Sequence, residues 1–224
     1  MRTFCVLFSI IFSTAVYSQQ TLLQGAAHNL TSIGSLSIEK PAEGKVKGSA
    51  YFNENFLSAE IINFQTSYPM RYNAYSDQME YEVDGLQYDL DKLQHSVVEF
   101  QGIKKKYVAT TYNDGSGYVN GFLVELDKGD NYSLYKREKI VFVPGTEAKT
   151  SMDTDTPAYY KPLKDMYLIR LKDGSVVEIP KSRSKFAKLL GPDGAQVEDY
   201  IKKNKIDLTK ENSLITLVNY MNKI

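Results

Sequence analysis

The chain has 224 residues, 42% hydrophobic and 24% charged, and its 27 basic side chains balance its 27 acidic ones. Overall neutrality leaves no global footprint for nucleic acid or an anionic membrane. One cysteine (Cys5) and two histidines (His28, His95) leave little material for thiol, triad or zinc chemistry.

Met1-Arg2-Thr3 starts positively charged, residues 4–12 are almost wholly apolar, and Val16-Tyr17-Ser18 offers compact residues ahead of Gln19. This pattern predicts a secretory signal peptide over residues 1–18. Cys5 leaves with it and is not at the junction, so no lipid anchor is expected there. What remains is enough for one domain with a sizeable core. No later apolar run reaches the roughly 20 residues that span a bilayer, so no transmembrane segment is expected after cleavage. The expected location is exported, either periplasmic or extracellular. Residues 19–44 read as a flexible polar leader with one short strand around 36–38.

From residue 45 to residue 180 the chain reads as an antiparallel meander of short strands. Strands are expected at 46–51, 59–64, 70–75, 78–83, 86–90, 97–100, 107–112, 122–126, 132–142, 167–171 and 176–179. Seventeen tyrosines and no tryptophan fit half-buried β surfaces. Two hairpins can be read to register. Met79, Tyr81 and Val83 alternate with polar residues, as do Leu86, Tyr88 and Leu90 after Asp84-Gly85. A two-residue type I′ turn pairs Val83 with Leu86 and Tyr81 with Tyr88, leaving one apolar face and one wet face. At Asp173-Gly174 a two-residue turn would mix the faces. A three-residue loop, Lys172-Asp173-Gly174 with a G1 bulge, instead pairs Ile169 with Val177 and Tyr167 with Ile179.

Residues 181–224 switch to helical spacing and are expected to dock on the sheet. Ser182 or Ser184 caps a first helix with Phe186, Leu189 and Leu190 on one face, ended by Gly191-Pro192. Val197, Tyr200 and Ile201 mark a second helix. Thr209 is expected to cap a third, which carries Leu214, Leu217, Val218 and Met221.

Pro69-Met70-Arg71-Tyr72-Asn73-Ala74-Tyr75-Ser76-Asp77-Gln78-Met79-Glu80, Gly121-Phe122-Leu123-Val124-Glu125-Leu126, residues 132–143, Asp165-Met166-Tyr167-Leu168-Ile169, residues 174–180 and the closing 212–222 together resemble a recurrent group of exported Bacteroidota proteins. The resemblance covers roughly residues 45–222. It implies a β-rich bacterial envelope or secreted protein with a helical C-terminus, and it carries no activity with it. Asp153-Thr154-Asp155-Thr156-Pro157 departs from the pattern as a private loop.

Few constellations offer chemistry. His95 reads as an ordinary turn histidine. Glu80, Glu82 and Asp89 are carboxylates on the expected wet face of the first hairpin, and a glycosidase would need two such acids in one cleft. Asp153, Asp155 and Asp165 lack the frame of a calcium loop. Lys104-Lys105-Lys106 reads as a solvated turn. The glycine-rich stretch 113–121 follows a strand with no helix after it, so it reads as a hairpin connection rather than a phosphate cradle. The candidate partner-binding surface is Arg71, Asn73 and Tyr75, which share one face if 70–75 is a strand. Against this, Arg71 could simply pair with Glu80 or Glu82 on a neighbouring strand, the reading favoured here.

The expected fold class is α+β, mainly antiparallel β: a meander sheet or partly open barrel followed by three short C-terminal helices. The expected function is non-enzymatic binding of an envelope protein or glycan, with no cofactor, no metal and no nucleic acid. A carrier of a small apolar ligand in a curved sheet is the alternative, with a carboxylate-dependent hydrolase behind it.

Overall fold

Asp84 and Gly85 both take left-handed backbone, at φ of 52° and 76°, and build the two-residue turn that the flanking alternation demands. The computed structural model describes residues 33–36, 46–93, 95–114, 116–148 and 154–224. The expected signal peptide, nearly all of the expected leader, His28 and Asp153 therefore lie outside the described residues. Around the turn, β4 (Gln78–Val83) and β5 (Leu86–Leu90) pair Val83 with Leu86 and Tyr81 with Tyr88. The second hairpin also has its expected register. β12 (Met166–Arg170) and β13 (Val176–Glu178) pair Ile169 with Val177, Ile179 N–H bonds to the Tyr167 carbonyl, and Gly174 is left-handed at φ 85°.

The remaining strands are β1 (Gly34–Leu36), β2 (Leu57–Ile61), β3 (Thr66–Asn73), β6 (Val97–Phe100), β7 (Lys105–Asn113), β8 (Tyr118–Asp127), β9 (Ser133–Arg137), β10 (Ile140–Val143) and β11 (Tyr159–Pro162). Eleven strands form one sheet in the order β1-β5-β4-β3-β2-β6-β7-β8-β9-β12-β13, while β10 and β11 make a separate ribbon. The class is mainly antiparallel β with three C-terminal helices, and the large sheet is a curled half-barrel.

The sheet curls twice, in opposite senses. β4 approaches β8 across the first curl and β13 approaches β7 across the second, although other strands separate each pair in the hydrogen-bonded order. β7 and β8 are the shared wall. Tyr107, Ala109, Phe122 and Val124 face the first curl with Met70, Tyr72, Met79, Tyr81 and Phe100. Val108, Tyr112 and Leu123 face the second with Tyr135, Leu168 and Val176. This follows from the two-residue period, which sends neighbours on one strand to opposite sides.

Leu134 and Ile169 point out of the second curl, and the helices cover them. α1 (Arg183–Leu189), α2 (Gly194–Lys203) and α3 (Glu211–Met221) contribute Phe186, Val197, Ile201, Leu214, Leu217, Val218 and Met221 to that layer. The Ser182 hydroxyl accepts the Lys185 N–H at 3.5 Å and caps α1. Among the described residues, no helix is long and apolar enough to cross a membrane.

Several local expectations change; the strand expected at 59–64 ends at Ile61, and Ile62–Phe64 form a single 3-10 turn. Residues 46–51 make only isolated bridges, Lys47 to Tyr159 and Tyr51 to Asn73, because Gly48 turns left-handed at φ 78° and breaks the extended run. The expected strand 132–142 divides into β9 and β10, which join different sheets. Its ribbon partner β11 had no sequence signal: Tyr159-Tyr160-Lys161-Pro162 is short, half exposed and ends in proline. Thr209 does not cap α3. Its N–H and hydroxyl both donate to Asp207 Oδ1, at 2.8 and 2.7 Å, and the helix starts at Glu211 without a side-chain cap.

Candidate functional site

β3 and β4 place Arg71 directly opposite Glu80. That side of the hairpin was expected to be wet, but Glu80 is only 1% exposed. Arg71 Nε donates to Glu80 Oε2 at 2.6 Å. Tyr51 OH donates to both carboxylate oxygens, at 2.9 and 3.1 Å, and Asn73 Nδ2 to Oε1 at 3.1 Å. The guanidinium continues to Gln87 Oε1 at 3.1 Å and the Glu54 carbonyl at 3.2 Å. It lies between the rings of Tyr51 and Phe56, 4.2 and 4.4 Å from their centroids. The carboxylate that the two-residue alternation assigns to water is dry because residues 51–56 fold over it.

The three candidate partner-binding residues therefore do not form one surface. Arg71 and Asn73 converge on Glu80, and Asn73 is buried. β3 ends at Asn73, whose Oδ1 accepts the N–H groups of Tyr75 and Ser76 at 3.1 Å each. Tyr75 thus sits in the following turn, 39% exposed, edge-on to Phe142 and Tyr160 with centroids 6.5 and 5.4 Å away. It anchors the β10–β11 ribbon and is separate from the arginine.

A second buried carboxylate was missed. Glu138, just past β9, accepts Lys105 Nζ at 2.7 Å on each oxygen and the Tyr107 hydroxyl at 2.8 Å. Lys105 is therefore half-buried and paired with a buried carboxylate rather than part of a solvated turn. Burial, then the Glu138 charge, pushes the Tyr107 hydroxyl far above the usual phenol range, so it remains a donor. No alternation pointed to Glu138, because it lies between β9 and β10, which join different sheets.

The two networks flank a small cavity of about 30 Å³ at the mouth of the first curl, lined among others by Arg71, Tyr72, Phe100, Lys105 and Tyr107. It has room for about two waters. Its rim carries Phe52 and Ile103, which are 47% and 50% exposed. Both carboxylates already receive several donors, so neither is poised as a nucleophile or a general base. Glu82 is exposed and Asp89 half-buried, opposite Glu80.

A third knot closes the far turn. Asp77, left-handed at φ 58°, accepts the Tyr72 hydroxyl at 2.7 Å and the Phe122 N–H at 3.1 Å on Oδ1, and holds Lys92 Nζ at 3.2 Å on Oδ2. Burial, and then Asp77, keeps the Tyr72 hydroxyl protonated far into the alkaline range. A Cβ on Gly121 would come within 2.5 Å of Asp77 Oδ2, so glycine makes this contact possible. Elsewhere, His95 is an exposed left-handed turn residue, Asp155 accepts the Ala148 N–H and Asp165 is exposed. Among the described residues, no group of three or more His, Cys, Asp or Glu is placed to hold a metal ion.

Comparison with protein-family models, with curated proteins and with solved structures gave no match.

Proposed function

We propose that the chain is an exported bacterial envelope protein that works by binding, with a protein or envelope glycan as partner, through the rim of the first curl. One observation carries this reading. The reactive groups at the rim are locked by donors, whereas Phe52 and Ile103 are left half exposed around a shallow hollow. Groups held this way lend rigidity, and exposed apolar side chains on a rigid frame are the usual material of a contact surface. The charged start and apolar run of residues 1–18 support export, and the resemblance to exported Bacteroidota proteins supports the envelope.

A carrier of an apolar ligand has less support, because Tyr72, Phe100, Tyr107 and Phe122 fill the first curl. A hydrolase lacks a free acid at this cavity. The test compares capture from a bacterial envelope extract by the wild-type protein and by Phe52→Ser/Ile103→Ser. The expected result is a saturable partner retained by the wild type and lost about tenfold by the variant. Equal capture by both proteins, or no saturable partner, overturns the reading.

A further inference from the structure

Although the whole molecule is neutral, positive charge gathers where the chain enters α1 and leaves α2. An open cleft of about 450 Å³ there is lined by Lys181, Arg183, Lys202 and Lys205, over a floor of Ile201 and Leu208. We propose that this cleft binds an anionic ligand carrying one or more phosphoryl groups.

Charge balance comes first. The one carboxylate in the lining, Asp207, already holds the Thr209 N–H and hydroxyl. Arg183 lies 3.6 Å from Glu198, whereas Lys181, Lys202 and Lys205 form no ion pair among the described residues. The cleft therefore keeps a positive excess that a bound anion would neutralise. The carbonyl end of α2 opposes this, but N–H groups fold back on it: Asn204 to Tyr200, Lys205 to Lys202 and Ile206 to Ile201. The side chains set the sign.

Lys205 stands where α2 turns into the cleft. It occupies the left-handed position that ends α2, at φ 53°, with the Ile206 N–H closing onto the Ile201 carbonyl at 3.0 Å. Glycine takes this position at lowest cost, and the turn leaves Lys205 in the lining of the cleft.

The donor set selects the ligand class. Three lysines and one arginine supply mostly point charges, which suit a compact multivalent anion better than a planar carboxylate. The lining has no aromatic ring on which a base would stack, which disfavours nucleic acid. The volume is that of a small-ligand cleft, and Ile201 and Leu208 can receive an uncharged portion. The cleft shares no residue with the rim of the first curl, so this inference stands apart from the proposed function.

The test titrates inorganic pyrophosphate into the protein at low salt, followed by calorimetry. In parallel, the protein is sedimented with vesicles of phosphatidylglycerol or of phosphatidylcholine alone. Expected are saturable pyrophosphate binding and a loss of at least ~tenfold in Lys202→Glu/Lys205→Glu, with circular dichroism unchanged. Lys205→Gly separates charge from fold: affinity should fall about threefold while Tm rises, since glycine relieves the left-handed strain. Phosphatidylglycerol binding that pyrophosphate competes away identifies a lipid headgroup as a ligand source, and pyrophosphate binding alone identifies a free phosphorylated compound. Failure of both probes to bind, or an affinity changed less than ~twofold by the charge reversal, overturns the proposal.

Discussion

Replacing Arg71 by methionine removes the cation from a carboxylate that is 1% exposed, while the arginine itself is 19% exposed. Stranding a buried charge costs about 3–5 kcal/mol. Glu80 keeps the Tyr51 hydroxyl and the Asn73 amide, which pulls the expected cost to the lower end, about 3 kcal/mol. For a domain of this size that corresponds to roughly 6–12 °C in Tm. Arg71→Met/Glu80→Gln no longer strands a charge. It should therefore be less destabilised than the two single changes summed, by about 1.5–3 kcal/mol. Because the chain has no tryptophan, urea unfolding is best followed by far-UV circular dichroism. A cost below about 0.5 kcal/mol for Arg71→Met, or an additive cycle, would refute the argument that register and burial make this pair a structural lock.

Two further outcomes test the helical layer. The Asn222 amide donates to the Tyr132 and Val218 carbonyls, at 2.9 and 3.1 Å, and its Oδ1 accepts the N–H groups of Asn131 and Tyr132, at 3.2 and 2.9 Å. Asn222→Ala should cost about 2 kcal/mol in urea unfolding and speed amide exchange at residues 131 and 132. The Asp193 carboxyl is held below the ordinary carboxylate range, first by the Lys172 ammonium at 2.6 Å and then by the Tyr132 hydroxyl. A lowered folded-state pKa gives stability that is present above the unfolded value, about 3.9, and lost as pH falls through the lower folded value. Asp193→Asn should therefore lower Tm near neutrality and flatten its decline below about pH 4; a wild-type acid limb would show that this carboxylate is not linked to folding.

Much of the fold is legible because a β-sheet writes its pairing into a period of two. Asp84-Gly85 and Lys172-Asp173-Gly174 set their registers through turn geometry and through the need to keep Tyr81 with Tyr88, and Ile169 with Val177, on shared faces. The helical stripes are equally local, since Phe186, Val197, Ile201 and Leu217 are in the core that their spacing assigns. The site is less legible. Alternation assigns Glu80 to water, and nothing between Tyr51 and Phe56 announces that these residues will cover it. Glu138 falls in the break between β9 and β10, and its partners Lys105 and Tyr107 lie about thirty residues away. A fold-over segment and a cross-sheet ion pair have no sequence period.

The sequence by itself determined most strands of the large sheet, two hairpin registers, three helices and the poverty in histidine and cysteine, because these rest on short-range periodicity and composition. The tertiary structure alone decided that the sheet curls twice, that Arg71 and Lys105 are committed to buried carboxylates, and that Tyr75 stands apart from both. It also gathered Lys181, Arg183, Lys202 and Lys205 around one cleft. Twist, curl and the closure of distant segments sum small local terms over the whole chain, so they emerge only when every strand has found its neighbour.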